Sequence, residues 1–80
     1  MRGLMQQDQL TITYRLTAAD HVTIELIDPH GRMVCRSSDG LSRSAGEQRD
    51  VLDLPGTLAH GAYVLHVQGS TVNAHRSVVR

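Results

Sequence analysis

The chain has 80 residues, enough for one domain, and a chain this short buries only about 60 to 65% of the surface it exposes when unfolded. It carries eight Arg, no Lys and eight acidic residues, with no run of one sign, which excludes the basic face that a nucleic-acid binder needs to neutralise phosphates. Phe and Trp are absent, Tyr14 and Tyr63 are the only aromatic residues and Cys35 stands alone, so the core must be Leu, Ile and Val, with no internal disulfide and no thiolate metal cage.

Residues 1–9 hold Arg2 but no apolar run of the roughly 7 to 15 residues that a secretory signal needs, and nothing long enough to cross a bilayer. They read as a linker-like, non-native segment ahead of a domain spanning residues 10–80. In residues 9–17, Leu10, Ile12, Tyr14 and Leu16 alternate with Thr11, Thr13, Arg15 and Thr17, which predicts a first strand. Val22, Ile24 and Leu26 alternate in the same way, and the short link through Ala18, Ala19 and Asp20 predicts that the two strands are antiparallel neighbours. Asp28, Pro29, His30 and Gly31 then fit a type I turn: Asp bonds the backbone ahead, Pro presets φ and Gly accepts a left-handed exit. Arg32 opens the returning strand, residues 32–36, whose apolar content is Met33, Val34 and Cys35.

Residues 37–46 are rich in Ser, Gly, Asp and Arg and read as a surface loop anchored by Leu41. Residues 47–54 offer Val51, Leu52 and Leu54 as a strand, stopped by Pro55 and Gly56, and Leu58 plugs the crossing that follows. No window repeats apolar residues at i, i+3, i+4 and i+7, so helix content should be near zero. Gly61 opens the last hairpin, in which Tyr63, Leu65 and Val67 fall at period two and Gly69 and Ser70 read as a two-residue turn. Counting outward from that turn pairs Gln68 with Thr71, Val67 with Val72, Leu65 with Ala74 and Tyr63 with Arg76, whose guanidinium would stack on the ring. The opposite face carries Ala62, Val64, His66, Asn73, His75 and Ser77. Six to seven short strands with turn signals between them predict an all-β, immunoglobulin-like antiparallel sandwich.

Each sharper chemical reading has a blander competitor. His21, His30, His60, His66 and His75 contain no His-x-x-x-His helical pair, no i, i+2 strand pair and no Cys partner, so they read as solvated side chains and no metal site is expected. His66 and His75, on one face of the hairpin, are the one pair worth testing. Ser, His and Asp are all present, but no Gly-x-Ser-x-Gly elbow is, and the serines crowd one loop; no catalytic residue or cofactor site is expected. Cys35, beside Val34 in a strand, reads as a small apolar residue.

The order LTITYRL, VTIELIDPHGRMV, an SAGE loop before a strand, and LAHGAYVLHVQGSTVNAHRSVV resembles the type A carboxy-terminal sorting domain of the type IX, or Por, secretion system. It is also similar to related FlgD-like and other immunoglobulin-like terminal modules. The resemblance covers roughly residues 10–80 and rests on the strand with its turn at Asp28, Pro29, Gly31 and Arg32, the Gly61-x-Tyr63 step, and the basic and apolar close at Arg76, Val78, Val79 and Arg80.

What the resemblance implies is a folded, non-catalytic address label on a longer precursor. It would be read by an outer-membrane secretion translocon and processed by a sortase-like enzyme, and its passenger would reach the cell surface or the medium through the periplasm and outer membrane. Gly61, Tyr63, Arg76, Val78, Val79 and Arg80 would contact that machinery. An accessory or spacer module of an extracellular bacterial enzyme is the alternative, although sugar binding usually needs exposed aromatic rings. Two departures stand out. The family enters its first strand from a Pro-Asn-Pro segment where this chain has Met5, Gln6, Gln7 and Asp8, and its terminal basic residues are Lys where this chain has Arg. An absent leading strand would leave a sheet edge open to a second copy, hence the expectation of an edge-strand dimer.

Overall fold

A computed structural model describes residues 1–37 and 41–80. Eight strands run in the order β1 (Arg2–Gln6), β2 (Gln9–Leu16), β3 (Asp20–Ile27), β4 (Met33–Arg36), β5 (Leu41–Arg43), β6 (Gly46–Asp53), β7 (Ala62–Gln68) and β8 (Asn73–Val79). Among the described residues there is no helix. One sheet has the order β1-β2-β6; the other has β4-β3-β7-β8, with β5 pairing the first residues of β3. All pairings are antiparallel, and the fold is an immunoglobulin-like β-sandwich.

The alternation in β2, β3 and β7 sets the inner layer. Leu10, Ile12, Tyr14 and Leu16 face Val22, Ile24, Leu26, Leu65 and Val67, all buried, with Leu52, Leu54, Tyr63 and Val78 closing the cluster. Each fully buried aliphatic chain contributes roughly 1.5 to 3 kcal/mol. Leu41 and Leu58 pack against this core as anchor and plug.

The structure departs from the sequence reading in four places. β2 and β3 are not neighbours: β2 pairs β6 and β3 pairs β7, so the link at residues 17–19 carries the chain between sheets. Both strands present one apolar face, and opposing the faces in two layers buries them where a hairpin would leave them side by side. Residues 1–9 are not a linker, because Arg2–Gln6 ladders onto β2 from Arg2 opposite Thr13 to Gln6 opposite Gln9, with Gln7 at φ 56° in the turn. The ground for an edge-strand dimer, a missing leading strand, is therefore gone. Gly3 makes room for β1: a Cβ there would lie 2.8 Å from Val78 Cγ1 and 2.9 Å from Leu65 Cδ2. Third, the segment read as one loop contains β5; its residues 38–40 lie outside the described residues.

The fourth correction is the register of the last hairpin. Gln68 faces Asn73, Leu65 faces Arg76 and Tyr63 faces Val78, a slip of two from the pairing counted above. The connection is four residues long, closed by Gly69 N–H donating to Val72 O at 2.8 Å. The cause lies 50 residues away. Asp20, the one buried charged residue among those described, accepts from Ser70 N at 3.1 Å, Thr71 N at 2.8 Å and Thr71 Oγ1 at 2.7 Å, pulling both residues into the turn. Gly69 must be Gly, since a Cβ would sit 2.6 Å from Asp20 Oδ2.

Candidate functional site

The terminal hairpin is a rigid inner strand carrying an exposed outer one. On β7, Tyr63 is buried and its hydroxyl donates to Ala59 O at 2.6 Å, four residues upstream. This is the tyrosine corner of immunoglobulin-like domains, tying the β6–β7 crossing to the strand that follows. Gly61, at φ 151°, exchanges backbone hydrogen bonds with Arg80: Arg80 N donates to Gly61 O at 2.9 Å and Gly61 N to Arg80 O at 3.3 Å. Gly61 and Tyr63 thus hold the hairpin's open end.

β8 is the edge of its sheet, and its residues divide sharply. Val78 is 5% exposed and lies in the core under Gly3. Val79, opposite Ala62, is 71% exposed, and Arg76 is exposed opposite Leu65. The stacking of Arg76 on Tyr63 does not occur, because the two-residue slip puts Val78 there instead. Arg80 turns inward: its guanidinium donates to Asp8 Oδ1 at 3.0 Å and Pro55 O at 3.3 Å. Of the residues assigned to partner contact, Arg76 and Val79 face solvent, while Tyr63, Val78 and Arg80 are committed to the fold.

The turn after β3 forms as its residues dictate. Gly31 N donates to Asp28 O at 3.0 Å, Gly31 has φ 84°, and Asp28 Oδ1 accepts from His30 N and Arg32 N, each at 2.9 Å. Those amides, Arg32's first, hold the Asp28 carboxyl below its ordinary range. Because Ile27 faces Val64 and Ala62 faces Val79, this turn, the Gly61 step and Arg80 gather at one end of the larger sheet. Gly69 and Ser70 lie at the other end with Asp20.

Two polar constellations stand out, of which the sequence reading marked only His66 and His75. Tyr14 Oη donates to Asp50 Oδ2 at 2.6 Å, and Arg43 Nε lies 3.2 Å from both Asp50 oxygens, with Nη2 closing the pair. Burial first, then the Asp50 hydrogen bond, pushes the Tyr14 pKa up to about 12. Burial works against ionised Asp50, but the bonds from Arg43 and Tyr14 outweigh it and its pKa is lowered. This seam bounds a cleft of about 370 Å³ between β4, β5 and β6, lined by Ile24 and Leu52 and by the charged residues Arg36, Arg43, Asp50 and Asp53. The second is the outward row Arg36, Glu25, His66 and His75, which crosses β4, β3, β7 and β8 in register. The His66 and His75 rings stack with centroids 4.1 Å apart and planes 5° from parallel. Only the correct hairpin register puts them opposite each other.

Among the described residues, no group of three or more His, Cys, Asp and Glu side chains could hold a metal ion. The Cys35 thiol lies 3.3 Å from Asp53 O, and burial raises its pKa, so it is held as a thiol. What fold and surface define is a module of the immunoglobulin-like sandwich class with an exposed terminal edge strand. No protein-family model, no curated protein and no solved structure matches the chain.

Proposed function

We propose that this chain is a non-catalytic sorting domain of the type IX kind, which directs an attached passenger across the outer membrane to the cell surface. The observation that carries the reading is the terminal hairpin. Its last strand is a sheet edge with Arg76 and Val79 turned to solvent, while Tyr63, Val78 and Arg80 lock it to the body. An edge strand offers unpaired backbone groups for strand addition, and Arg76 and Val79, exposed on opposite faces of the strand, can each add specificity. A translocon and a sortase-like enzyme are the partners this reading requires. The spacer alternative keeps the same fold; as a sugar binder it would lack a platform, since both tyrosines are buried.

The test fuses residues 1–80 to a fluorescent passenger with a signal peptide, in a host that carries the type IX machinery. Surface or extracellular fluorescence is the expected result, and a passenger retained in the periplasm with the domain folded overturns the reading. Deleting the last four residues cannot separate recognition from folding, because it removes Val78 and Arg80. Arg76→Glu and Val79→Asp can, since both side chains are exposed. Secretion should fall while far-ultraviolet circular dichroism stays unchanged.

A further inference from the structure

We propose that His66 and His75 form a two-imidazole chelate for a divalent transition-metal ion on the outward face of the larger sheet. The backbone geometry comes first. Gly61 and Arg80 exchange two hydrogen bonds, and Gly69 N donates to Val72 O, so the hydrogen-bonded pairs of β7 and β8 fall at odd positions of β7. His66 opposite His75 is therefore a non-hydrogen-bonded pair, the kind in which facing Cα atoms approach to about 4.5 Å and side chains are closest. Their rings already stack at 4.1 Å. Two nitrogens each about 2.0 to 2.1 Å from one ion lie roughly 3 Å apart. A tilt of each ring about its soft terminal torsion closes that difference without moving the backbone.

The surroundings favour a cation. Glu25 faces His66 from β3 and puts a negative charge beside the pair, and Asn73 Oδ1 lies 2.7 Å from His66 Nε2, where an amide oxygen can hold a metal-bound water. Arg36, 3.8 Å from Glu25, lies one strand beyond it on the side away from the histidines. With two strong donors and open positions the site suits an exchangeable ion, and the order of affinities for imidazole ligands puts Cu(II) ahead of Ni(II) and Zn(II). His21, His30 and His60 occupy separate strand and turn positions with no imidazole opposite. None of this depends on the sorting reading.

The experiment titrates the tag-free full chain with CuCl2 near neutral pH in a non-coordinating buffer. Proton–nitrogen NMR should show paramagnetic broadening that starts at His66 and His75, and electron paramagnetic resonance at one equivalent should show coupling to two imidazole nitrogens. His66→Ala and His75→Ala should each weaken binding by at least about tenfold, the loss of an intramolecular second ligand, whereas His21→Ala, His30→Ala and His60→Ala should not. Broadening that begins elsewhere, or equal affinity across the five variants, overturns the proposal. Should either variant fail to fold, the broadening map of the unaltered chain decides alone.

Discussion

Two turns of this sandwich each rest on an aspartate that collects backbone amides, yet one is local and the other spans most of the chain. Asp28 bonds His30 and Arg32, two and four residues ahead. Asp20 bonds Ser70 and Thr71, 50 and 51 residues ahead. The first turn would form in a short peptide. The second exists only after β3 and β7 have paired, so it reports the tertiary fold and in return fixes the β7–β8 register. An identical chemical device thus acts as a local bend in one place and as a long-range clamp in the other.

The contrast can be broken most severely at the clamp. Asp20→Ala strands three amides, of His21, Ser70 and Thr71, and a hydroxyl in a partly buried site, and the thermal midpoint should fall by more than about 10 °C, read by circular dichroism. Cross-strand nuclear Overhauser contacts of the β7–β8 turn should vanish before those of the β3–β4 turn. Next comes Gly69→Ala, whose Cβ would meet Asp20 Oδ2 at 2.6 Å and His21 O at 3.0 Å. Overpacking of that kind costs about 1 to 3 kcal/mol by urea denaturation. Gly31→Ala has open space around it and suffers only its φ of 84°, so about 1 kcal/mol is expected, with the Asp20 clamp untouched.

The smallest effect sharpens the comparison through pH. Bonds from the Thr71 hydroxyl, then the Thr71 and Ser70 amides, lower the Asp20 pKa from 3.8 to about 2. A depressed carboxyl gives stability that is fully present above its unfolded value and is lost as pH falls through the folded one. The Asp20 contribution should therefore decline between about pH 4 and pH 2. Carbon-detected titration of the carboxyl groups checks this, and Asp20→Asn should flatten that part of the stability curve.

Legibility in the sequence followed the range of each contact. β2, β3 and β7 were readable because a half-buried strand writes its period into its own residues, and the Asp28 turn because every partner lies within four positions. β1 was hidden: of its two inward positions Gly3 has no side chain, which leaves room for Val78, and only Met5 packs on the core, while Leu4 points outward at 58% exposure. The two-residue slip left the inner and outer faces of the hairpin unchanged, since a strand's period is two. It did move every facing partner, which placed Arg76 wrongly beside Tyr63 and set His66 opposite Asn73, so the two histidines were placed on one face but not opposite each other. The Tyr63 bond to Ala59, only four residues upstream, could have been read but was not. Arg80 could not, because its partner Asp8 is 72 residues away, in the turn that follows a strand with little apolar pattern.

The placement of β1 against β8 has a mechanical consequence. Gly3 lies over Val78, and Asp8, just past β1, reaches Arg80, so the first and last strands run the same way in different sheets. Residues 1 and 80 are then at opposite ends of that parallel pair. Traction applied between them acts along the strands, perpendicular to the ladder hydrogen bonds, and loads the five β1–β2 register pairs together rather than one after another. A load path of that shape resists as a lap joint does, in shear, and would hold longest in the direction in which a tethered protein is pulled.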